Sequence, residues 1–255
     1  MVPIPLLRVL PSVPNELTYP MRPAHPPNSE PDPDAPRRDD HPGEGAARGT
    51  ARMEAFADAV FAIAFTLPVV EIELPSGREP LMKEMLDLWP SYLGYALTSL
   101  VIGIYWVHHH FSGAIYRTVG HWFNVATVVF LAMIGFIAFP IRVFTEHLPL
   151  KDAHATAGLI LTLSLAMTAV TWWGKWQTGR HWEHIDGRLT AAYVRRLDRR
   201  YNIAAAVAVV AAALGFFRWE AGLCLVSLVT LFYMLPPPTP AYVEEAPIVE
   251  GETEG

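Results

Sequence analysis

The 255-residue chain is 52% apolar and only 17% charged, a balance tilted away from soluble domains. Its net charge of −6 averages acidic tails against basic loops, and it holds no compact basic domain for nucleic acid to bind. A single cysteine, Cys224, excludes a disulfide framework or a cysteine-rich metal site.

Residues 1–50 hold twelve of the 23 prolines. Such a segment buries too little apolar surface to offset the entropy of ordering it, so a disordered, Pro-rich cytoplasmic tail is expected there. Its short apolar patches around Leu6 and Leu7, broken by Pro11 and Pro14, do not form a secretory signal. From Met53 to Val70 the chain is almost wholly apolar, long enough to cross a hydrocarbon core of about 30 Å at 1.5 Å per residue. Glu54 and Asp58 nevertheless lie in its first two turns. Ionisable groups at that depth are costly unless they face protein or water, so this first span carries the functional reading.

A loop at 76–80 and a short amphipathic lead-in at 81–88 precede a second span, about 92–110, with Trp89, Tyr92 and Trp106 as interfacial anchors. A third span runs over about 122–144 and is interrupted by Pro140 and Arg142. A fourth covers about 155–176, and a basic connection with helical stretches follows to Arg200. Two short spans, about 201–217 and 219–235, turn at Arg218 and end at Pro236, Pro237 and Pro238. Residues 237–255 read as an acidic disordered tail.

Six spans put both termini on one side. Arg37, Arg38, Arg48, Arg52, Arg117, Arg180, Arg188, Arg195, Arg196, Arg199 and Arg200 fall on that side, against Arg78, Lys83, Lys151 and Arg218 on the other. The excess of basic residues places both termini in the cytoplasm of a multi-pass protein of the cell membrane. The arginines around 180–200 also suit anionic lipid headgroups.

At roughly 100° per residue, Arg52, Phe56, Ala59, Ile63, Thr66 and Val70 share a face about 80° wide, while Asp58 points roughly 120° from its centre. Asp58 is placed either in a polar network with His108 or His109 and Trp122 or Asn124, all near the same ends of their spans, or as a snorkelling carboxylate at a helix start. His108, His109 and His110 are consecutive, so at most two converge on one ion; hydrogen bonding inside the bundle is the better reading. The Ile63, Thr66 and Val70 stripe, taken alone, is better read as a packing face than as a pore lining. No nucleotide loop, nucleophile triad or metal motif marks an enzyme, and no cofactor is expected.

Arg52-x-x-x-Phe56-x-Asp58, with the apolar run ending at Glu71-Ile72-Glu73-Leu74-Pro75, resembles the first-helix signature of bacterial homologues of the lysosomal potassium channel, transmembrane protein 175. Ala57 stands where that signature has serine. The resemblance continues through Trp89-Pro90-x-Tyr92-Leu93, the segment Ile102 to His110, and His121-Trp122-x-Asn124. It implies an all-α polytopic fold with six transmembrane helices, whose first helix lines a central pore within a channel domain at 51–236. It also implies a hydrophobic constriction at Ile63, with Thr66 a layer beyond, Val70 on the same face and Leu67 beside it. Arg52, Phe56, Asp58, His108, His109, Trp122 and Asn124 would form the supporting network. Such a ring acts by narrowing the path and making ion hydration unfavourable to keep, and the chain has no TVGYG-like filter. The eukaryotic relatives carry two signature copies per chain and dimerise, so one copy implies a homotetramer in membrane lipid, with potassium as the permeant ion. Two other readings stand beside it: a proton-coupled secondary transporter relaying through Asp58 and the histidines, and a non-conducting membrane scaffold or sensor whose basic loop binds a partner.

Overall fold

Eight helices follow one another among the described residues, joined by short connections. The computed structural model describes residues 50–150, 153–182 and 184–243. The expected tail at 1–49, the tail beyond 243, and the topology-setting Arg37, Arg38, Arg48 and Lys151 lie outside those residues.

Helix α1 spans Ala51–Val70 and ends two residues after Pro68, whose missing N–H deprives the Ala64 carbonyl of its helical donor. A tight loop follows, with Gly77 at φ 75°, the left-handed region that favours glycine. The Glu84 carboxylate gathers this loop by accepting from the Ser76 hydroxyl (2.7 Å) and the backbone N–H groups of Gly77, Arg78 and Glu79 (2.9, 2.9 and 3.0 Å). Those donors, the Ser76 hydroxyl first, hold its pKa down at about 2. Glu84 belongs to the short helix α2, Leu81–Asp87, and α3 runs from Trp89 to Ser112 with Pro90 in its first turn, where a missing N–H costs nothing.

The expected third span is two helices, α4 (His121–Phe136) and α5 (Ala138–His147), separated at Ile137. Pro140 explains the break, since it has no N–H to offer the Phe136 carbonyl. Helix α6 spans His154–His181, α7 Ala191–Gly215 and α8 Trp219–Phe232. Helix α7 differs from expectation. The arginine-rich stretch before Tyr201 is its first part, started by the Thr190 hydroxyl accepting from the Tyr193 N–H. Tyr193, Leu197, Tyr201, Ala204, Ala208, Ala211 and Gly215 form one buried stripe along it, so its arginines point away from the core without interrupting the helix.

By length and composition, α1, the α4–α5 unit and α6 suffice to cross a membrane. Helices α3 and α7 have the length, at 24 and 25 residues, but carry histidines and arginines. Helix α8 is shorter, with 14 residues. Helix α6 packs against α4, α5, α7 and α8, whereas α1 packs chiefly on α3 and α4. The centre is aromatic: Phe130 meets Trp172 at a ring separation of 5.1 Å, Trp176 meets Tyr201 at 5.1 Å, and Tyr105 meets Phe130 at 5.7 Å.

The loops at the α3, α6 and α8 ends interlock. Residues 116 and 185 form an antiparallel bridge, as do 189 and 242. The Asp186 N–H donates to the Ile115 carbonyl (2.8 Å) and the Arg117 N–H to the His184 carbonyl (2.9 Å). Residues 241–243, expected as part of the unfolded acidic tail, are instead paired. The Thr190 N–H donates to the Ala241 carbonyl and the Val243 N–H to the Arg188 carbonyl, each at 2.8 Å, while the Tyr242 ring lies 5.8 Å from the Arg188 guanidinium. At the opposite end, Arg142 bridges Glu71 (3.1 Å) and Glu146 (2.6 Å), joining α1 to α5.

Two measurements check this packing. A Cβ at Gly222 would sit 2.6 Å from the Gly215 Cα and 2.7 Å from the Ala211 carbonyl oxygen, both backbone. Gly222→Ala should therefore destabilise the α7–α8 hairpin by about 1–3 kcal/mol. Gly174→Ala, with no atom within 4 Å of the added carbon, should leave thermal unfolding in detergent unchanged or raise its midpoint. In the second, the Arg188 side chain, then its backbone N–H, holds the Asp186 pKa down at about 2. A depressed carboxylate stabilises the fold above its unfolded pKa, near 4, and loses that contribution as pH falls through 2. Asp186→Asn should lower the unfolding midpoint at pH 7, with the gap to the native chain closing between about pH 4 and pH 2.

Candidate pore face and its anchors

Helix α1 buries a narrow stripe, Ala57, Phe61 and Ala64, against α3 and α4. The centre of the Arg52, Phe56, Ala59, Ile63, Thr66 and Val70 face lies roughly 150° around the helix from that stripe. Ile63 is 57% exposed, Leu67 53% and Val70 75% within the single chain. Only 11% of the apolar window of α1 is buried, against 39% for α4–α5 and 56% for α6, so α1 is the long apolar helix that its own chain covers least. The Thr66 hydroxyl donates to the Ala62 carbonyl at 2.8 Å, which leaves its oxygen lone pairs outward on an otherwise aliphatic surface. Arg52 and Phe56 are exposed at the first turns. Ala57, at the position of the family serine, is fully buried.

The expected network around Asp58 is not assembled as one cluster. Asp58 accepts a hydrogen bond from the Trp106 indole N–H at 3.2 Å, and Trp106 stacks on His110 at 5.8 Å. His108 and His109 turn elsewhere because successive helical residues diverge by about 100°. The His108 Nε2–H donates to the Tyr233 carbonyl at 2.5 Å, tying α3 to the end of α8. His109 Nδ1 accepts from the Lys175 ammonium at 3.0 Å, and its ring lies 5.5 Å from Phe61. Trp122 is exposed on α4 beside His121, and the Asn124 side-chain oxygen is buried with no hydrogen-bond partner. Neither reaches Asp58. Among the described residues, no group of three or more His, Cys, Asp or Glu side chains is arranged to hold a metal ion.

Two anchors escaped the sequence reading. Trp106 has the interfacial-anchor signature, but its N–H faces α1 because it lies one turn before His110 on the side of α3 that meets Asp58. Lys175, on α6, is 1% exposed. Its ammonium donates to His109 and, at 3.3 Å, to the Ser112 hydroxyl, and lies 5.0 Å from the Trp172 ring, 5.5 Å from Tyr116 and 5.7 Å from Phe123. A lone lysine in an apolar span was the available signal.

A family model described as the endosomal/lysosomal potassium channel TMEM175 matches residues 52–138. A relative named a potassium channel, from Chamaesiphon minutus, is 32% identical over 190 residues, which cover 69% of this chain and 90% of that protein. Another of that name, from Streptomyces collinus, is 29% identical over 200 residues, covering 74% and 95%. The crystal structure of a lysosomal potassium-selective channel TMEM175 homologue from Chamaesiphon minutus superposes with a TM-score of 0.59 at 26% identity, covering 72% of this chain and 96% of that one. The match in sequence and in helix arrangement makes this chain an all-helical, multi-pass membrane protein of the TMEM175 family, a family of ion channels rather than enzymes.

Proposed function

We propose that this chain is a potassium-permeable channel in which copies assemble around a path lined by α1. The observation that carries the reading is the uncovered aliphatic face of α1, set opposite its packing stripe. One such helix encloses nothing, so the path needs several copies, and the single R-x-x-x-F-x-D signature favours four. Ile63 forms the constriction with Leu67, Thr66 and Val70 beside it, and potassium passes by shedding water at a narrow apolar ring. Six crossings, made by α1, α3, α4–α5, α6, α7 and α8, carry both termini to the cytoplasmic side of the cell membrane. The clustering of Arg117, Arg180, Arg188, Arg195, Arg196, Arg199 and Arg200 near one end supports that orientation.

In this account Asp58 and Trp106 set the rotation of α1, and Arg142 with Glu71 ties its far end. Potassium flux from liposomes holding the purified chain, with valinomycin defining full release, is the direct check. Ile63→Asn should raise the flux about tenfold, the equivalent of about 1.4 kcal/mol off the barrier. Flux absent from both chains would remove the channel reading. A double-mutant cycle on unfolding in detergent should give Trp106→Phe and Asp58→Asn a coupling of about 0.5–1.5 kcal/mol, whereas strictly additive losses would mean the pair does not hold the helix.

A further inference from the structure

A cleft of about 520 Å³ opens between α7 and α8, away from the α1 face and unused by the conduction account. Its mouth is lined by Arg196, Arg199 and Arg200 and its walls by Ile203, Val207, Leu225, Leu228 and Val229. No carboxylate lines it. The nearest acid in sequence, Asp198, is turned to the other side of α7, where it pairs with Arg180 and accepts from the Trp176 indole at 3.0 Å.

The three arginines are not equivalent. Arg200 is spent on structure: its guanidinium donates to the carbonyls of Leu235 (2.9 Å) and Pro236 (3.2 Å) and lies 4.6 Å from the Phe232 ring, capping the end of α8. Its Nε–H remains buried without an acceptor. Arg196 and Arg199 are exposed and make no hydrogen bond or ion pair among the described residues. The aliphatic wall begins at Ile203, one turn below them, and continues to Val207, so cationic groups and apolar groove meet within about 16 Å of helix axis. A soluble anion would use the arginines and leave the wall wet, and an uncharged lipid tail would use the wall and leave the arginines unmatched. One ligand class matches both halves.

We propose that this cleft is a binding site for one anionic phospholipid, its phosphate between Arg196 and Arg199 and an acyl chain lying between α7 and α8. The site stands apart from the α1 path and does not depend on conduction. Bound there, the lipid links the arginine-rich start of α7 to the end of α8, the same end whose Tyr233 carbonyl accepts from His108 of α3.

Native mass spectrometry of the detergent-purified full chain tests this with dioleoyl phosphatidylglycerol, dioleoyl phosphatidylcholine and glycerol phosphate as probes. The native chain should retain phosphatidylglycerol over phosphatidylcholine. Arg196→Gln with Arg199→Gln should weaken phosphatidylglycerol roughly 25-fold, about fivefold for each guanidinium. Leu228→Trp, which fills the cleft and keeps both arginines, should weaken it as well, with the oligomer mass unchanged. Equal retention of the two lipids, or no loss in the double variant, would overturn the site. So would undiminished binding in Leu228→Trp, which would leave only a charged surface, or glycerol phosphate binding as tightly as the lipid, which would leave only an anion site. A fall in oligomer mass on Leu228→Trp would overturn it too, by assigning the cleft to contact between copies.

Discussion

The structure depends on how α1 is held: by one narrow stripe and two polar ties, with the rest of its apolar surface left uncovered. Inside a bilayer a helix satisfies its own backbone, so an isolated apolar span carries no penalty for being bare. What singles out α1 is the contrast with α6, which is largely enclosed by its own chain. Small Ala57 and Ala64 let α1 approach its neighbours while Phe61 wedges between the His109 and Phe130 rings. A close packing stripe of small residues fixes distance, and the directional Trp106 and Arg142 contacts fix rotation and tilt. The proposed pore lining requires that rotation to be specified, since a turn of 100° would exchange Ile63 for a neighbour.

The remaining helices form the frame that resists displacement of α3 and α4. Tilted and edge-to-face rings of Tyr105, Phe130, Trp172, Trp176, Tyr201 and Tyr233 carry contacts from α3 through α4 and α6 to α7 and α8. Lys175 is embedded at the edge of this cluster. A buried ammonium is tolerable there because rings, the His109 nitrogen and the Ser112 hydroxyl together replace much of its hydration. The frame and the packing stripe of α1 thus meet at His109, which touches Lys175 on one side and Phe61 on the other.

Much of this was legible in the sequence. The apolar runs gave the order of the helices, Pro140 marked the break between α4 and α5, and the wheel of α1 separated its uncovered face from Asp58. Partner choice was harder. Asp58 meets Trp106 rather than a histidine because that depends on the rotation of α3, which a helical period does not supply. The start of α7 resembles a basic connection in sequence because its arginines mask the Tyr193, Leu197, Tyr201 stripe beneath them. The pairing of Tyr242 with the Arg188 loop is long-range and has no local pattern. Of the residues assigned to one network, Trp122 and Asn124 share a helix end with Asp58 but not a contact, since shared depth does not determine which way a side chain faces.

The central claim is that the bare face of α1 lines an aqueous path. Cysteine scanning along α1 addresses it directly, in a Cys224→Ser background because Cys224 is an exposed free thiol. A water-soluble thiol reagent applied during potassium flux should block chains carrying cysteine at Ile63, Thr66 or Val70 and spare those carrying it at Ala57, Phe61 or Ala64. Block confined to Ala57, Phe61 and Ala64, or none at any of the six positions while flux persists, would contradict the account.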